Sequence, residues 1–231
     1  MRLISERKVR IILDLFYPNR CPCCFGFIRW NELVCAECIS ELECMEDEGF
    51  CRICGRNPCI CHSEDGLFYD EAYIFKPYLD KSRSGILSMK NGNNKNYGEY
   101  SGERLAEMLA DVNADVIIPV PMSKRKQRSR GYNQAEIIAL KISAKKNIPL
   151  VNDILSMRYS KAEQHTRSER ERKFIRDYLD ISDTKLSGMT VILCDDIITT
   201  GSTFNACAEV LKKNGAEKVI IAAAAGTVYK V

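Results

Sequence analysis

The thirteen residues Val191-Ile-Leu-Cys-Asp-Asp-Ile-Ile-Thr-Thr-Gly-Ser-Thr203 constrain this chain more than any other segment. A short, β-branched apolar run reads as a buried parallel strand. It meets two adjacent carboxylates, then turns through Thr199, Thr200, Gly201, Ser202 and Thr203 into an amphipathic stretch. Such a turn offers backbone N–H groups and hydroxyls. Gly201 lets the main chain come close to a ligand, and the N-terminus of the following helix favours negative charge. The combination predicts a phosphate cradle at the C-terminal edge of a parallel sheet, where open α/β folds bind their ligands. It is not a Walker A loop, because no Gly-Lys-Ser/Thr follows. Asp195 and Asp196 would repel a bare polyphosphate. They suit the hydroxyls of a sugar whose phosphate sits in the loop, which describes a ribose 5-phosphate moiety.

This segment resembles the PRPP-binding signature of type I phosphoribosyltransferases. The resemblance implies that Asp195 and Asp196 take the ribose 2′- and 3′-hydroxyls while Thr199, Thr200, Gly201, Ser202 and Thr203 wrap the 5′-phosphate.

The chain has 231 residues, enough for one medium domain and a small one. No apolar stretch reaches membrane-spanning length. Residues 3–16 mix charges of both signs with apolar positions and predict a short amphipathic helix rather than a secretory signal. Of the twelve cysteines, ten lie between Cys21 and Cys61, which argues for metal ligands in a reducing, cytoplasmic setting rather than disulfides. Cys21 and Cys24 with Cys35 and Cys38 form two Cys-x-x-Cys pairs that can close a tetrahedron around zinc, leaving Cys23 surplus. A second set is Cys51, Cys54, Cys59 and Cys61, with His62 as the alternative to Cys61. Cys44 stands alone. One or two structural zinc ions are therefore expected; no His-Glu-x-x-His spacing suggests a catalytic metal. Cys194 and Cys207 read as core residues.

The polar cluster at 62–66 marks a boundary: residues 1–65 as a zinc-ribbon module, 66–231 as the larger domain, each with its own core. Tyr69–Tyr78 reads as a strand or hairpin arm, and Met89–Tyr97 as a loop. Glu99–Val112 reads as a helix, with Leu105, Met108, Leu109 and Val112 on one face. Asp115–Pro121 is a buried strand. Gly131–Lys146 is a helix with Ile137, Ile138, Leu140 and Ala144 inward, and Lys218–Ala225 a further strand. Strands alternating with helices predict a doubly wound, α/β parallel sheet.

Between the strand at 115–121 and the helix at 131–146, five cations fall within Lys124–Arg130, although the chain carries only +3 net. Such runs are ordinarily solvated loops. This one follows the C-terminal end of a strand, on the predicted ligand edge. A second basic block, Arg167–Arg176, alternates with acids and reads as an ion-paired helix.

Taken in order, Cys21 to Cys61, Met89-Lys-Asn-Gly92, Ile118-Pro-Val-Pro121, Arg130-Gly-Tyr-Asn-Gln-Ala135 and Val191 to Thr203 resemble the ComF family. These are competence-associated, phosphoribosyltransferase-like proteins with an N-terminal zinc ribbon. Gln164 and Arg172 match two further family positions, but Phe174 or Ile175 stands where the family has Asn. The resemblance implies PRPP as ligand, with Mg²⁺, and Pro121, Ser123 and Lys124 beside its pyrophosphate. If the chain is an enzyme, it displaces pyrophosphate from C1 of PRPP. The alternative it implies is a handler of single-stranded DNA in natural transformation, linked to the competence DNA-uptake machinery. There the basic loop and Tyr132 would supply charge and a stacking face, and PRPP binding would be regulatory or vestigial.

Overall fold

A computed structural model of the protein describes residues 18–45, 49–59, 61, 66–91, 94–157, 179–182 and 186–229. The predicted helix at 3–16, His62, the region of Gln164, Arg172, Phe174 and Ile175, and the basic block at 167–176 lie outside them.

Four strands make the main sheet: β1 (Glu71–Pro77), β2 (Val116–Pro119), β5 (Thr190–Ile198) and β6 (Lys218–Gly226). They run in the order β1-β6-β5-β2, every pairing parallel. Because successive strand residues point to opposite faces, the β-branched runs feed two cores. Phe75, Ile117, Ile192, Cys194, Ile220 and Ala222 face one way. They meet α2 (Asp80–Asn91), α3 (Asn96–Met108) and α5 (Gln134–Lys146). Val116, Ile118, Val191, Leu193, Val219 and Ile221 face the other way and pack against α6 (Ser202–Lys213). A small antiparallel pair, β3 (Leu155–Met157) and β4 (Leu179–Ile181), lies on the α6 side. This is the doubly wound α/β sheet that the alternation of elements predicts.

Of the two readings of Tyr69–Tyr78 the strand holds, as β1 paired in parallel with β6. Three local expectations change. The expected loop at 89–97 is largely helical: α2 continues to Asn91 and α3 begins at Asn96. In α5 the inward side chains are Ala135, Ile138, Ala139 and Ile142, whereas Leu140 is 56% exposed and Ala144 is also exposed. The reason lies in the partner helix. A Cβ on Gly102 of α3 would come within 2.9 Å of the Ile138 carbonyl oxygen, so the two helices touch backbone to backbone along that side. Lastly, the basic run is a seven-residue helix, α4 (Lys124–Arg130), capped by Ser123, and none of its residues is buried.

The front module is not independent. Helix α1 (Ala36–Cys44) and the turn before it place Cys21, Cys23, Val34, Cys38 and Leu42 in the same buried cluster as Phe75, Ile86, Met89 and Tyr97. Leu42 and Tyr97 are fully buried, and removing such a side chain costs about 2–5 kcal/mol. The expectation of two separate cores fails on this shared cluster.

Candidate functional site

Strand β5 does not stop at the acidic pair; it carries Asp195 and Asp196 within its last four residues and ends at Ile198. Thr199 and Thr200 turn outward and are exposed. Gly201, at φ +72°, then opens α6. Left-handed backbone is cheap only for glycine, and a Cβ here would lie 3.2 Å from the Arg56 guanidinium and 3.3 Å from the Tyr69 hydroxyl. The Thr200 and Ser202 hydroxyls are 2.8 Å apart, and the Ser202 N–H donates to Thr200 Oγ1 at 3.4 Å. Loop, hydroxyls and the N-terminus of a twelve-residue helix thus converge at the C-terminal edge of the sheet.

The two carboxylates differ. Asp196 is buried and pairs with Lys90 Nζ of α2 at 2.9 Å. The Asp195 carboxylate accepts the Asp196 N–H at 2.8 Å. Burial first, then the Asp196 charge beside it, hold the Asp195 carboxyl well above the usual carboxylate range. Its field reaches Cys207 on α6, whose thiol is pushed up by its own burial and then by Asp195. The pair therefore looks both ways across the strand, Asp196 toward α2 and Asp195 toward α6.

Strand β2 lies beside β5, and the Val120 N–H donates to the Cys194 carbonyl at 2.8 Å. Pro121, Ser123 and α4 consequently leave the sheet on the same edge as the loop. A cavity of about 290 Å³ opens beside Pro121 and Lys124 on the β3 side, where Asn133, Leu155 and Met157 also line it; neither the acidic pair nor the Thr199–Thr203 loop does.

Arg130-Gly-Tyr-Asn-Gln134 has a holding role. The Tyr132 hydroxyl donates to the Met89 carbonyl at 2.8 Å, and Gln134 Nε2 reaches the same oxygen at 3.5 Å. Asn133 donates to the Val120 carbonyl and caps α5. Together they tie the end of α2, hence Lys90, to the end of β2. Tyr132 is 8% exposed, which removes it as a stacking platform for bases. Lys90 itself was legible only as a letter in Lys-Asn-Gly; an expected loop gave no reason to aim it at Asp196.

The cysteines group as their spacing predicts. Cys21, Cys24, Cys35 and Cys38 bring their sulfurs within 4.8 Å of one another, and so do Cys51, Cys54, Cys59 and Cys61. Zinc–sulfur bonds of about 2.3 Å require sulfurs roughly 3.8 Å apart in a tetrahedron. The pairs Cys24–Cys35, Cys54–Cys59 and Cys51–Cys61 stand at 3.7, 3.8 and 3.5 Å. Burial alone would raise the Cys51 thiol, but the backbone N–H groups of Cys54 and Ile53 together with the Cys61 and Cys59 thiols bring it down to about 6, while burial and the neighbouring thiols push Cys61 up. A thiolate is the ligand zinc needs. Both quartets fit zinc, and among the described residues Cys61 completes the second. Cys44 is exposed and belongs to neither; Cys23 is buried beside the first. Cys194 and Cys207 are fully buried core residues. Elemental analysis of protein purified without chelator should return about two zinc ions per chain, one for each tetrahedral ligand set; one ion would leave a quartet empty, and none would remove the ribbon.

Among the described residues no helix is long and apolar enough to cross a membrane. The family model for the phosphoribosyl transferase domain matches residues 98–227. Competence protein ComFC of Bacillus subtilis is 25% identical over 203 residues, covering 81% of each chain. Competence protein F of Haemophilus influenzae is 32% identical over 108 residues, 46% of this chain and 47% of that one, so the match spans about half of its length. Of solved structures, a purine phosphoribosyltransferase from Pyrococcus horikoshii aligns over 54% of this chain and 70% of its own, at 24% identity and TM-score 0.38.

Proposed function

Because the chain belongs to the phosphoribosyl transferase domain family and, within it, to the ComF family, we propose that it binds PRPP at the edge formed by β5, β2 and α6. The observation that carries the reading is the convergence of Asp195, Asp196 and the Thr199–Thr203 loop at one strand end, with Lys124 opening the helix that follows the neighbouring strand β2. The loop takes the 5′-phosphate, and the carboxylates accept from the ribose hydroxyls. Pro121, Ser123 and Lys124 face the pyrophosphate. Mg²⁺, arriving with the ligand, would neutralise pyrophosphate charge, and the oxygen donors of the two aspartates suit such a hard cation.

Turnover would break the bond between C1 and the pyrophosphate oxygen, which leaves with the electron pair. An acceptor nitrogen, hydroxyl or water would close on C1. Positive charge on the ribose rises in between, and the acidic pair stabilises it electrostatically. Residues 1–65 act as a zinc-binding module on a domain spanning 66–231, and thiols kept as zinc ligands suit a cytoplasmic setting. Calorimetric titration of PRPP, with pyrophosphate release measured over a panel of nucleobases and ammonia, tests binding and turnover together.

A second reading, single-stranded DNA handling with the competence machinery, is favoured by the exposed cations of α4 and by the competence names of the relatives. Replacing Lys124, Arg125, Lys126 and Arg128 with Gln decides its place. If α4 holds DNA, affinity falls, and the log–log salt slope drops by roughly 0.7 for each DNA phosphate no longer neutralised. If α4 serves pyrophosphate alone, PRPP affinity falls while any DNA binding keeps its slope. Loss of both, with PRPP displacing DNA, is the expected result, since the two ligands present the same groups to the same edge.

A further inference from the structure

The second cysteine quartet does not hang free of the phosphate loop. Its turn is closed by the Gly55 N–H donating to the Cys51 carbonyl at 2.8 Å and the Cys51 N–H donating to the Arg56 carbonyl at 3.2 Å. The knuckle is then fastened to the sheet from three sides. The Ala72 N–H of β1 donates to the Arg52 carbonyl at 2.8 Å, and the Tyr229 N–H, beyond β6, donates to the Asn57 carbonyl at 3.0 Å. The Tyr69 hydroxyl donates to the Cys54 carbonyl at 2.8 Å. Gly55 itself lies so close to the sheet that a Cβ would meet Ala72 at 2.9 Å and Ile198, the last residue of β5, at 3.2 Å.

This docking delivers one side chain to the loop. Arg56 Nη2 donates to the Thr200 carbonyl, and the guanidinium covers the Cα of Gly201. Its Nε is buried and has no hydrogen-bond partner among the described residues. The loop, Thr-Thr-Gly-Ser-Thr, contains no cation of its own. A phosphate monoester there would rest on backbone N–H groups, hydroxyls and the partial charge of the helix terminus alone. A guanidinium has five N–H donors in a planar fork that matches phosphate oxygens, and among the described residues one is taken by the protein backbone, at the Thr200 carbonyl.

We propose that Arg56 is a ligand of the phosphoryl group held by the Thr199–Thr203 loop, so that the second zinc knuckle completes the phosphate site rather than only decorating the fold. This rests on the PRPP reading above and adds to it a residue from outside the phosphoribosyl transferase match, which begins at residue 98. Arg56 keeps its bond to Thr200 and turns its remaining donors to the phosphate. Zinc in the Cys51, Cys54, Cys59 and Cys61 set fixes the backbone that aims it.

The test is titration of ribose 5-phosphate and of PRPP into the zinc-loaded wild type, Arg56→Gln and Arg56→Lys, at several salt concentrations. Arg56→Gln should lose affinity for both ligands by the same factor, roughly ten- to a hundredfold, the usual weight of a charge-assisted hydrogen bond. Its affinity should also depend less on salt than the wild type's. Arg56→Lys, keeping the charge without the fork, should recover part of the loss. Should Arg56→Gln fail to retain zinc, Arg56→Lys carries the test, with a several-fold loss shared by both ligands. Unchanged affinity for ribose 5-phosphate, a loss confined to PRPP, or a loss with the wild-type salt dependence would each overturn the assignment; the last would make Arg56 a mere clamp on Thr200. A wild type that binds neither ligand would instead remove the PRPP reading itself.

Discussion

Changing both Asp195 and Asp196 to Asn will weaken PRPP binding by well over tenfold while the chain stays folded. The two carboxylates end the central part of the sheet, flanked by β2 and β6, and both sit beside the phosphate loop. Each charge-assisted hydrogen bond to a sugar hydroxyl contributes about 1.5–3 kcal/mol, and both are lost at once. Folding should survive, because Asn matches Asp in size and the amide oxygen at 195 can still accept the Asp196 N–H. The single variants should differ. Asp196→Asn also strands Lys90, whose ammonium then faces the site without its partner. Wild-type affinity in the folded double variant would show that the acidic pair is not the ribose site.

The second large effect concerns stability. Cys38→Ser removes one of four thiolates from the first quartet and places a hydroxyl at a position 1% exposed. Structural zinc contributes an apparent 10–16 kcal/mol in small zinc peptides, against a whole-domain stability of about 5–15 kcal/mol. Forfeiting even a few kcal/mol should lower the melting temperature by about 10 °C, at roughly 2–4 °C per kcal/mol for a chain of this size. Because Cys38 and Leu42 share a cluster with Ile86 and Tyr97, the helices of the main sheet should melt early with the knuckle. Far-UV circular dichroism, which reports mainly on α2, α3, α5 and α6, reads this directly. A main transition left at the wild-type temperature would show that the front module folds alone.

What the sequence made legible was chemistry with fixed spacing. The cysteine quartets follow from pairs two residues apart, and the turn at Thr199–Thr203 follows from its own letters. The strands follow from unbroken β-branched runs, since a strand buried on both faces needs no alternation. Illegible were elements whose inward face is not apolar. Helix α2 buries Ser82, Gly85 and Ser88 beside Ile86 and Met89, small residues that leave room for the Tyr97 ring. Hydrophobic periodicity cannot see such a face, so Lys90 lost its place at the site. Helix α5 failed for the opposite reason: it has apolar residues on more than one side, and the glycines of α3 choose among them. Arg56 was missed because a residue between metal ligands is read for its neighbours' chemistry, and no local signal ties it to Thr200, 144 positions away.

The central claim is that this strand end is a PRPP site, and the most direct measurement is calorimetric titration of PRPP with Mg²⁺ into the zinc-loaded chain. One saturable site should be seen, lost in the Asp195→Asn/Asp196→Asn variant and competed by ribose 5-phosphate. Heat indistinguishable from dilution in folded, zinc-loaded wild type would contradict the account.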